Sequence, residues 1–66
     1  MDAELFWKTI EDYAYENDIS WNEISRRSGI SRQNLLKNKR MRTEPRLSTI
    51  NRLIKALEID PKLLFF

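Results

Sequence analysis

The stretch "ISWNEISRRSGISRQNLL", residues 19–36, constrains the fold of this chain more than any other. Ser20 is of the type that caps a helix, and Glu23 three positions later completes a capping-box pattern. Ile19 and Ile24 flank the cap at the spacing of a hydrophobic staple. Together they predict a helix from Trp21 to about Ser28. Gly29 ends it, because glycine enters the left-handed conformation without a Cβ clash. The pattern then restarts, with Ser31 as cap and Ile30 and Leu35 as the staple pair, so Arg32 to about Asn38 is expected to be helical. Only Gly29, Ile30 and the cap lie between the two helices. A turn this short forces a steep crossing and fits a helix-turn-helix, although a plain corner of two helices shares the signature.

The rest of the chain agrees with an all-helical class. One glycine and two prolines in 66 residues leave little material for hairpins. Phe6, Ile10, Tyr13 and Asn17 follow helical spacing, with Ala3, Trp7 and Ala14 widening the stripe, so a first helix is expected over Ala3–Asn17 with its aromatic residues in the core. "KRMRTEP" reads as a loop. Leu47, Ile50, Leu53, Ile54 and Leu57 then mark a fourth helix over Leu47–Leu57. Asp60 as cap, Pro61 at the first helical position and Leu64 as staple partner predict a short fifth helix. Residues 1–66 are expected to form a single domain, near the lower size limit for an unaided core.

Composition narrows the chemistry. The chain has no cysteine and no histidine, which removes disulfides, zinc sites and His-based catalysis. No metal or cofactor set is expected, and no nucleophile–base pair is visible, so an enzyme is not expected. The lack of cysteine fits a cytoplasmic setting. No apolar run has membrane-spanning length, and "MDAELFWK" does not resemble a signal peptide. Charge is segregated. Residues 1–24 carry seven acids and Lys8 alone, a net −6; residues 25–55 carry ten bases and Glu44 alone, a net +9. A basic half calls for an anionic partner, of which nucleic acid is the commonest, unless the bases merely solvate helix faces.

With Phe6, Ile10 and Tyr13 on helix one, then "ISWNEISRRSGISRQNL", Pro45, "LSTINRLIKALEID" and Leu64, the chain resembles the phage repressor and Cro family of XRE-type helix-turn-helix domains over about residues 6–65. The resemblance implies a compact five-helix, lambda-repressor-like all-α DNA-binding domain with its helix-turn-helix at helices two and three. The third helix of such domains enters the major groove and offers its N-terminal residues to base edges. Here those are Ser31, Arg32, Gln33 and Asn34, with Lys37 one turn on. Arg reads guanine and Gln reads adenine by bidentate bonds. Leu36 either packs on a neighbouring helix or meets a thymine methyl. Phosphate contacts are implied for Trp21 and Asn22 and for Asn38, Lys39, Arg40 and Arg42. Four contacts would give a slope of log K against log salt of about −3.6.

The chain departs from the family pattern at several places. Trp21 stands where relatives often carry Gln, Met41 where they often carry Gly, and Asn38 where an apolar residue is usual. Many relatives pair an Arg on helix one with a Glu after the recognition helix. Ala14 and Lys39 occupy those positions here, which suggests that the pair is dispensable and Lys39 is free for DNA.

The expected partner is a double-stranded DNA operator bound by a homodimer, with Leu63, Phe65 and Phe66 of the apolar "LLFF" ending as dimer contacts or as a link to a further domain. No membrane partner is expected. The leading expectation is a sequence-specific transcriptional regulator, a phage or prophage repressor. Alternatives are an antitoxin-type autorepressor with a toxin partner, or a protein-interaction module using helix one or "LLFF".

Overall fold

A computed structural model describes residues 2–64, and among these there are four α-helices and no strand. They are α1 (Ala3–Glu16), α2 (Trp21–Ser28), α3 (Arg32–Met41) and α4 (Leu47–Leu57). The expected fifth helix is instead a single 3₁₀ turn, Pro61–Leu63. Asp60 caps it through a bond from the Lys62 amide, and the Leu63 and Leu64 amides donate to the Asp60 and Pro61 carbonyls. A segment this short cannot offset helix nucleation, and the tight turn suffices to bury Leu64 completely. Phe65 and Phe66 lie outside the described residues.

One core unites all the elements. Phe6, Trp7, Ile10 and Ala14 of α1 meet Ile24 of α2, Leu35 of α3, Ile50, Leu53 and Leu57 of α4, and then Ile59 and Leu64. Phe6 and Trp7 pack edge to face with centroids 5.1 Å apart. Asn17 is not part of this stripe: it is exposed and caps α1, its side-chain amide donating to the Tyr13 carbonyl. Asp18 turns the chain in the left-handed region at φ 54°, and the Ile19 amide closes back on the Ala14 carbonyl. A short polar side chain tolerates that conformation better than most.

The corner between α2 and α3 is set by Gly29 at φ 74°. A Cβ there would meet nothing closer than an Arg52 guanidinium nitrogen at 3.6 Å, so conformation, not space, demands glycine. Two serines of α2 complete the turn. The Ser25 hydroxyl donates to the Ile30 carbonyl at 2.6 Å, and the Ile30 amide donates to the Ser28 hydroxyl at 3.2 Å. Both polar groups of the connecting residue are thus satisfied from the preceding helix.

The third helix runs three residues past the expected end at Asn38, taking Lys39, Arg40 and Met41 out of the predicted loop. No glycine stops it. Arg42 takes the left-handed C-cap position at φ 52°, and the Thr43 amide bonds the Asn38 carbonyl. The loop beyond is tied to α1, since the buried Trp7 indole donates to the Thr43 carbonyl at 2.7 Å.

Gly29→Ala is expected to lower stability by about 1–2 kcal/mol, the cost of a left-handed Cβ-bearing residue. Tm should fall by roughly 4–16 °C for a domain of this size. Thermal unfolding followed by circular dichroism measures it, and an unchanged Tm would contradict the role given to this turn.

Candidate nucleic-acid interface

Leu35 is the buried residue of α3, and full burial of a leucine contributes about 1.5–3 kcal/mol. It orients the helix so that Ser31, Arg32, Gln33, Asn34 and Lys37 are all exposed. Ser31 caps the helix by accepting from the Asn34 amide at 3.2 Å, which leaves its hydroxyl able to donate elsewhere. Leu36 is half-buried beside Gln33, Lys37, Lys39 and Arg40 in a shallow apolar concavity on the outer side of α3.

At the start of α2, Ser20 caps the helix through the Glu23 amide as expected. The reciprocal half of the capping box is replaced. Glu23 turns its carboxylate along the helix to bond Arg26 and Arg27. The Arg26 bond, then the Arg27 bond, hold the Glu23 carboxyl at about 2, well below its usual value. The same bond raises Arg26 further. Arg27 also reaches the Ala56 carbonyl near the end of α4 at 3.4 Å. Asn22 is exposed, and Trp21 is half-buried beneath the Lys39 ammonium, 5.2 Å from the ring centroid.

Lys39 is not free, as its pairing with Ala14 in the family pattern suggested it would be. Its ammonium lies 3.6 Å from one oxygen of Glu11, while Arg42 bonds the other oxygen at 3.2 Å and approaches Glu4 at 3.8 Å. The family's link between helix one and the end of the recognition helix is therefore present with reversed sign and shifted along α1. Glu4 and Glu11 lie seven residues apart on one face of α1, a spacing that is legible in the sequence. Ser25, Ser28 and the glutamates are the contributors that motif reading passed over.

Asn38, half-buried, faces a hollow of about 350 Å³ between α3 and the start of α4, together with Asn34, Thr43, Arg46 and Thr49. The polar residue at this apolar position thus lines an open groove. The ten bases of residues 25–55 divide into two groups. Arg26, Arg27, Lys39 and Arg42 are paired with carboxylates of the same chain. Arg32, Lys37, Arg40, Arg46, Arg52 and Lys55 are exposed and form no ion pair among the described residues.

The family model of the Cro/C1-type HTH DNA-binding domain matches residues 9–65, and the chain belongs to this family. No curated protein and no solved structure matches it significantly.

The Glu23 clamp has a definite pH signature. A carboxyl depressed in the folded state stabilises fully above its unfolded value near 4.5, and that contribution is lost as pH falls through about 2. Urea denaturation of wild type and Glu23→Gln should therefore show a stability difference at pH 6 that has gone at pH 2. A difference independent of pH would contradict the clamp.

Proposed function

We propose that this Cro/C1-type domain is a sequence-specific transcriptional regulator that lays α3 in the major groove of double-stranded DNA. One observation carries the reading: α3 exposes Arg32, Gln33, Asn34 and Lys37 with no ion-pair partner among the described residues, Gln33 and Lys37 lying opposite the buried Leu35. Arg32 is assigned to guanine O6 and N7, Gln33 to adenine N6 and N7, and Ser31, Asn34 and Lys37 to neighbouring edges. Trp21, Asn22, Asn38 and Arg40 are assigned to the phosphates that set register. The activity proposed is repression by occupancy of an operator, as in phage repressors, by a homodimer joined through the apolar C-terminal segment. The half-exposed Leu63 supports that contact.

Binding-site selection from random duplexes, followed by titration of variants, tests the base assignments. Each of Arg32→Ala and Gln33→Ala should cost about 1–3 kcal/mol, some 5- to 150-fold, at one base position and relax preference there. Two variants that keep the wild-type consensus would overturn the assignment. For the dimer, sedimentation of Leu63→Ser on and off a selected duplex should show a lighter complex and weaker binding. An unchanged mass and affinity would remove the dimer from the account.

A further inference from the structure

The cluster of Glu11, Glu4, Lys39 and Arg42 joins the C-terminal end of α3 to α1. Three of its four members are shielded, and Glu4 stays exposed at 74%. The side chains of Glu11, Lys39 and Arg42 keep 32, 26 and 29% of their exposure, against 61 and 57% for the surface pair Lys8–Asp12. Surface pairs of the second kind contribute little and vanish in salt, whereas shielded ones are screened less. The position matters equally. Leu35 is the buried anchor of α3, and Asn38, one turn on, faces a groove instead of the core. The cluster ties the C-terminal end of α3 to α1, beyond the anchor at Leu35.

We propose that Glu11, assisted by Glu4, is a positioning residue for DNA recognition: an internal counter-ion that removes Lys39 and Arg42 from the phosphate-binding set and uses them to lock the C-terminal end of α3 onto α1. The proposal rests on the reading of α3 as the recognition helix. Its physical content is a trade of affinity for geometry. A lysine or arginine that neutralises a phosphate releases counter-ions from DNA and steepens the salt dependence by about 0.9 per contact. A cation held by a carboxylate adds less to that slope, and the carboxylate beside it repels the phosphate backbone. Lys39 and Arg42 therefore belong to the structure of the reading head, and Arg40, exposed and unpaired among the described residues, belongs to the DNA contact.

The test measures log K against log salt for wild type and variants, on a selected site and on an unrelated duplex of equal length. In the wild-type background Arg40→Gln is expected to reduce the slope by about 0.9, and Lys39→Gln to leave it unchanged. In Glu11→Gln, two cations are released, so the slope should steepen by about 1–2, binding to the unrelated duplex should strengthen, and the ratio of specific to unrelated affinity should fall. Adding Lys39→Gln to Glu11→Gln should cancel about half of the gain in slope. Equal loss of slope in Lys39→Gln and Arg40→Gln overturns the proposal. So does a folded Glu11→Gln with the wild-type slope or ratio. If wild type shows no salt-dependent binding at all, the reading of α3 falls and this proposal falls with it; if wild type binds normally, the variants judge this proposal alone.

Discussion

The corner at Gly29 is the constraint on which the rest depends. It converts two short helices, neither long enough to persist alone, into a rigid unit. A left-handed glycine sets the direction, Ser25 and Ser28 take up both polar groups of Ile30, and Ile24 and Leu35 close over the corner from either side. With Leu35 committed inward, helical geometry leaves Gln33 and Lys37 on the opposite face, and Arg32 is exposed at the open N-terminal end of α3. The chemistry of the surface follows from the packing beneath it. Family membership gives the domain its general purpose, DNA binding.

The second dependency is electrostatic. The segregated charge of the sequence suggests a uniformly basic reading surface, and the fold divides it. Acids of α1 and α2 neutralise Lys39, Arg42, Arg26 and Arg27, and leave Arg32, Lys37 and Arg40 of α3 exposed. Net charge alone overcounts the unpaired bases of this surface. The paired bases do different work, holding α3 to α1 and α2 to the end of α4.

Much of this was legible in the chain. The caps at Ser20 and Ser31, the stop at Gly29 and the bounds of α2 follow from local rules of backbone satisfaction, and the bounds of α4 from its apolar period, neither of which needs knowledge of the remaining fold. The misses came where tertiary contacts decide. The third helix outran Asn38 because its stop is an arginine in a left-handed cap beside two glutamates, for which no local rule exists. The last segment collapsed to a 3₁₀ turn because burial of Leu64 required no more. The pairing of Lys39 is not legible at the family's own positions, because its partner Glu11 sits three residues before Ala14.

The central claim is that α3 meets DNA through the major groove. Methylation interference with dimethyl sulfate on a selected duplex addresses it directly, because guanine N7 lies in the major groove and adenine N3 in the minor. Methylation of one or two guanines per half-site at N7 should block binding, and Arg32→Ala should relieve that block. Interference confined to adenine N3, with every guanine N7 indifferent, would contradict the account.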